Sequence, residues 1–121
     1  MSRILIADDD RYVLTMLRAT LEDAGHEVIE ASDGIEALAV YERAPVDVVI
    51  LDILMPGKQG IETLMELRRN HGDVPVIAMS GGGPHAPESY LDVARKFGAQ
   101  RAFTKPIPHG ELLEAIEEIS A

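Results

Sequence analysis

Four short stretches of this sequence carry side chains able to do chemistry together: Asp8-Asp9-Asp10, Asp52, Ser80 and Lys105. The first three follow or close short apolar runs and Lys105 follows the short stretch Arg101 to Thr104, so each stands where a strand would end. Carboxylates about 4 Å apart repel by roughly 4 kcal/mol at an effective dielectric near 20. Asp8, Asp9 and Asp52 converging would therefore require a protonated acid or a bound cation. A small hard dication resolves the conflict, since Mg2+ takes carboxylates, waters and phosphate oxygens together. A carboxylate in such a setting can act as a nucleophile and form an acyl phosphate. Ser80 would add a hydroxyl donor and Lys105 a point charge for phosphoryl oxygens. A helix cap accounts for Asp10 by itself, and leaves Asp8 and Asp9 unexplained.

The elements that must position these residues alternate almost from end to end. Ile4 to Ala7 reads as a buried strand, and Asp10 then opens a helix with Leu14, Leu17, Leu21 and Ala24 on one stripe, closed by Gly25. Val28-Ile29 marks a second strand, and Ser32-Asp33-Gly34 turns into a helix around Ile35, Leu38 and Tyr41. Val46 to Leu51 is apolar apart from Asp47 and shows no alternation, as suits a central parallel strand covered on both faces. After Pro56-Gly57, Ile61, Leu64, Met65 and Arg68 begin a third helical pattern. Pro75 to Met79 is a fourth strand, and Tyr90, Leu91, Ala94 and Phe97 mark a fourth helix stopped by Gly98. A fifth strand over Arg101 to Thr104 precedes a last helix striped by Leu112, Leu113, Ile116 and Ile119. Five such units predict a doubly wound α/β fold, a five-stranded parallel sheet with five helices on its two faces. In open sheets of this kind, ligands bind at the carboxyl ends of the strands. Asp8, Asp9, Asp52, Ser80 and Lys105 share that rim, whereas Glu27 and Asp47 start strands and read as solvated charges at the opposite edge.

Length and composition set bounds. The 121 residues suit one domain, and 46 % hydrophobic with 4 % aromatic residues means an aliphatic core. There is no Cys, so no disulfide or thiolate site, and no apolar run nears the ~20 residues of a membrane span. The apolar start is too short for a signal peptide, which makes a cytoplasmic protein the expectation. A net charge of −10 argues against direct nucleic-acid binding. The four His are scattered, the Met residues read as packing, and Gly81 to Gly83 lack the rest of a phosphate-loop motif. Arg68-Arg69, Arg95-Lys96 and the acids Glu111, Glu114, Glu117 and Glu118 read as solvated helix faces.

Over its whole length the sequence resembles the receiver domain of two-component response regulators, with a likeness to its chemotaxis members. ILIADDD is similar to that family's acidic-pair segment, LDILMPGKQG to its phosphoacceptor loop, VIAMSGGG to its hydroxyl segment and FTKP to its lysine segment. The resemblance implies one receiver domain over residues 1–121, a flavodoxin-like three-layer sandwich with strand order 2-1-3-4-5. It implies Asp52 as phosphoacceptor, with Mg2+ (or Mn2+) held by Asp8, Asp9, Asp52 and the backbone carbonyl of Leu54. Ser80 would contact the phosphoryl group, Lys105 would bond to it, and the Lys105-Pro106 peptide would be cis. The implied donor is a sensor histidine kinase or a histidine phosphotransfer protein, and acetyl phosphate would also serve. A downstream protein target would dock on the fourth helix, fifth strand and fifth helix, without nucleic-acid binding or membrane insertion. In one respect the sequence departs from the family. Three residues before the lysine, where an aromatic switch residue is usual, stands Ala102, and the adjacent Phe103 should point to the other face of the sheet. The implied readout is therefore movement of the loop and helix over residues 80–98.

Three other functions compete with this phosphoaccepting, non-enzymatic switch. An Asp-nucleophile phosphatase would need a second Asp two residues after Asp52, where Leu54 stands. A flavin-phosphate module would have its phosphate loop filled by Asp8 to Asp10, which repel the ligand. A phosphorylation-independent scaffold would have no use for an intact acceptor, acids, Ser80 and Lys105.

Overall fold

The computed structural model describes residues 1–53, 60–81, 92 and 94–120. Strands β1 (Arg3–Ala7), β2 (Glu27–Ala31), β3 (Val48–Asp52), β4 (Val76–Ser80) and β5 (Arg101–Thr104) form one parallel sheet in the order β2-β1-β3-β4-β5. Every residue of β3 and β4 is buried, as the non-alternating apolar runs predict for strands covered on both faces. Helices α1 (Arg11–Asp23), α2 (Gly34–Arg43), α3 (Gly60–Asn70) and α4 (His109–Ser120) flank the sheet. Residues 92 and 94–96 are helical too, within the span expected for a further helix between β4 and β5.

Alternation along the strands divides the core between two faces. Ile4 and Ile6 pack with Leu14, Leu17, Leu21, Leu112 and Ile116 of α1 and α4. Leu5 and Ala7 point the other way, with Val40 and Tyr41 of α2 and Leu64 and Leu67 of α3. No helix of the described residues is long and apolar enough to cross a membrane.

Local chemistry sets the helix ends. The Asp10 carboxylate accepts from Tyr12 N at 2.9 Å and caps α1, and Gly25 at φ 91° lets the chain leave it. Asp33 accepts from Glu36 N at 2.7 Å to cap α2, while Glu36 Oε1 accepts from Ser32 N at 2.9 Å. Three details differ from the sequence expectation. The inward face of α2 is Gly34, Ala37, Val40 and Tyr41, with Ile35 66 % exposed, because small residues let the helix lie close to the sheet. Ala24 is the exposed cap of α1 rather than part of its stripe. β3 begins at Val48 and includes Asp52 as its last residue.

Candidate functional site

Strand register brings the acids together. β1 pairs with β3 so that Ala7 stands beside Leu51, and one further step places Asp8 beside Asp52. Asp52 is in turn paired beside Met79, one residue before Ser80. Ser80 lies beside Thr104, and the Lys105 amide donates to the Ser80 carbonyl at 2.8 Å. Asp52 and Ser80 thus end β3 and β4, and Asp8 and Lys105, the residues just after β1 and β5, meet them at the same rim.

One carboxylate oxygen from each of Asp8, Asp9 and Asp52 lies within 4.8 Å of the other two. Asp8 is fully buried, Asp52 is 3 % exposed, and Asp9 is open to solvent. Lys105 Nζ donates to Asp52 Oδ2 at 2.9 Å and stands 2.6 Å from Asp8 Oδ2. The approach to Asp8 is an ion pair without hydrogen-bond alignment, so Oδ2 has charge nearby but no aligned donor among the described residues. The other oxygen of Asp8 accepts from Asp10 N at 2.8 Å. Burial pushes the Asp8 carboxyl up to about 6 despite the Lys105 contact and the Asp10 amide, and the Asp52 charge adds to the rise. For Lys105, burial alone would lower the pKa, but Asp8 and Asp52 outweigh it and the ammonium is held above its ordinary range.

Among the described residues, when all are ionised, three carboxylates against one ammonium leave a net charge of about −2 at this rim. Among the described residues its metal-ligating atoms are carboxylate oxygens, and a buried one lacks an aligned hydrogen-bond partner. That donor set fits a hard dication such as Mg2+ rather than a metal preferring nitrogen or sulfur. Ser80, 2 % exposed, likewise has no hydrogen-bond partner for Oγ among the described residues. A buried hydroxyl seldom stays unpaired, so Oγ has a donor and an acceptor free of the described residues.

Asp8, Asp9 and Asp52 are therefore in mutual reach, Lys105 contacts Asp8 and Asp52, and Ser80 is on the neighbouring strand end. Leu54 lies outside the described residues, as do His85 and Gly82–Gly83. The Lys105-Pro106 peptide is cis. Ala102 packs against the face of the sheet that carries α2 and α3, and Phe103 against the opposite face, as alternation requires. Sequence reasoning missed the Asp10 amide, which fixes the orientation of Asp8; a backbone donor carries no residue-type signal. It also misjudged Arg68 as a solvated helix face. Its guanidinium donates to the carbonyls of Gly72, Val74 and Gly98, tying α3 to the turn that follows it and to the distant Gly98. The described histidines have structural partners, Ser2 N for His26, Glu42 for His71 and Thr20 for His109.

The model of the response regulator receiver domain matches residues 4–117 of the chain. The chain belongs to this family. Its receiver fold is shared with the crystal structure of a response regulator receiver domain protein from Clostridium thermocellum, at TM-score 0.90 and 30 % identity over 98 % of this chain and 94 % of that one. The chemotaxis protein CheY of Listeria monocytogenes is 34 % identical over 119 residues, 98 % of each chain. The transcriptional regulatory protein CpxR of Klebsiella pneumoniae is 39 % identical over 121 residues, 98 % of this chain and 49 % of that protein. This receiver sequence thus spans about half the length of the CpxR relative. Response regulator receiver domains are signalling modules of two-component systems, and the acid-lined rim lies where this fold presents its ligand site.

Proposed function

We propose that this receiver domain, a single unit over residues 1–121, is a switch that accepts a phosphoryl group on Asp52 in an Mg2+-dependent reaction. The observation that carries the reading is the convergence of Asp8, Asp9 and Asp52 within 4.8 Å around the Lys105 ammonium. Asp8, Asp9, Asp52 and the Leu54 carbonyl would hold Mg2+ (or Mn2+). When bound, the ion supplies charge neutralisation and a Lewis-acid contact for the phosphoryl oxygens.

The chain's own residues do the rest. An Asp52 carboxylate oxygen forms a bond to phosphorus as the bond from phosphorus to the donor's imidazole nitrogen, or to acetate oxygen, breaks. Lys105 already bonds to Asp52 and can follow the negative charge onto the phosphoryl oxygens. Ser80 Oγ, without a partner in the described residues, donates to the same group and registers its arrival. With Ala102 in the usual aromatic position, the change passes to the chain over residues 80–98 and from there to a partner docked on that helix, β5 and α4. The donor is a sensor histidine kinase or a histidine phosphotransfer protein in the cytoplasm. No external substrate is turned over.

Intact mass after incubation with acetyl phosphate and Mg2+ tests this. Wild type should gain one phosphoryl group and Asp52→Asn none. Equal gain by both proteins, or repeated hydrolysis of a phosphoester by wild type without accumulation, would overturn the reading.

A further inference from the structure

We propose that Gly60 is a positioning residue for Asp52, holding the end of β3 where its carboxylate can join Asp8, Asp9 and Lys105; this deepens the phosphoacceptor reading and rests on it. The first residue of α3 lies directly on the backbone that carries Asp52. A Cβ at position 60 would overlap the carbonyl oxygen of Asp52 and the Cα of Ile53, and would stand 2.7 Å from the Ile53 carbonyl carbon. Carbon atoms make favourable contact only at about 3.5–4.0 Å. All three neighbours are main-chain atoms, so no rotamer change relieves the overlap. Either α3 or the end of β3 has to move.

The end of β3 has little freedom to retreat. Ile53 N donates to Met79 O at 2.9 Å, and Asp52 is paired beside Met79 in the ladder with β4. The same few atoms set a carboxylate oxygen within 4.8 Å of Asp8 and Asp9 and a second contact of 2.9 Å to Lys105. A shift large enough to admit a methyl group is large beside those tolerances.

Four other described glycines lack this main-chain constraint. An added Cβ at Gly25, Gly81 or Gly110 meets nothing within 4 Å, and at Gly98 it meets the Arg68 side chain, which can swing aside. Helix propensity does not explain glycine at position 60 either, since Gly is among the poorest helix formers. Its backbone entropy cost is offset only by close approach.

The test separates site geometry from stability. Wild type, Gly60→Ala and Leu67→Ala, a buried position in the same helix away from the acids, are compared by calorimetric Mg2+ titration, intact mass with acetyl phosphate, and urea unfolding. Both variants should lose stability. Gly60→Ala should bind Mg2+ roughly tenfold more weakly, the scale of losing a residue that orients a metal ligand. It should also gain the phosphoryl group correspondingly more slowly, while Leu67→Ala keeps wild-type affinity. Wild-type Mg2+ affinity in Gly60→Ala would overturn the proposal. So would failure of that variant to fold even with a stabilising osmolyte, since the contact would then serve the fold alone. A wild type that neither binds Mg2+ nor gains mass would instead overturn the phosphoacceptor reading itself.

Discussion

At the amino ends of the strands, Asp47 and Glu27 face solvent and both are met by Arg3. Arg3 N donates to Asp47 Oδ2 at 2.8 Å, and its guanidinium reaches Glu27 Oε2 at 3.2 Å. At the carboxyl ends, Asp8 and Asp52 are buried and share a single ammonium, with Asp9 close beside them. The same residue types thus serve two purposes within one sheet. Exposed acids at the first edge add little, since such pairs are worth about 0–1 kcal/mol. Acids at the second rim carry a charge imbalance that the fold sustains, which is how a binding site differs from a surface.

Removing the cation at each end should show the largest contrast. Without divalent metal, Lys105→Met should lose about 3–5 kcal/mol in urea unfolding, because it strands charge in the interior. Arg3→Met should lose less than about 1 kcal/mol. Equal losses would erase the distinction between the two ends.

A second contrast is one of pH. Burial raises Asp8 from 3.8 to about 6, so the native state holds this proton more tightly than the unfolded chain. Its contribution to stability is full below about pH 4 and is lost as pH rises through about 6. Asp8→Asn keeps an acceptor for the Asp10 amide and removes the charge. In chelator it should be more stable than wild type by about 2–3 kcal/mol at pH 8, by the equivalence of one pKa unit to ~1.4 kcal/mol, and little different at pH 4. Greater benefit at pH 4 than at pH 8 would contradict this. The smallest effect is expected from the same chemical change at the other edge. Asp47→Asn should alter stability by no more than about 0.5 kcal/mol, and a larger gain would mean that solvated acids are strained too.

The rim was legible in the sequence because its acids and Ser80 follow apolar runs and Lys105 follows a short strand, and parallel β-α units send all strand ends to one side. The centrality of β3 was legible for a similar reason, as Val48 to Leu51 never alternates. The inner face of α2 was misjudged because Ile35 is large and apolar, whereas close approach to the sheet selects Gly34 and Ala37. Arg68 and Gly60 were beyond reach. What each does is set by a main-chain atom it meets only in the folded chain, the Gly98 carbonyl for one and the Asp52 carbonyl for the other. Periodicity and residue type carry no record of such contacts.

Thermal unfolding with and without millimolar Mg2+ at pH 8 tests the central claim most directly, because an ion that binds the native rim must stabilise it by mass action. Wild type should melt several degrees higher with Mg2+, Asp47→Asn should follow it, and Asp8→Asn and Asp52→Asn should respond far less. A wild-type transition that ignores Mg2+, or an equal rise in all four proteins, would mean that the crowded carboxylates are not a metal site.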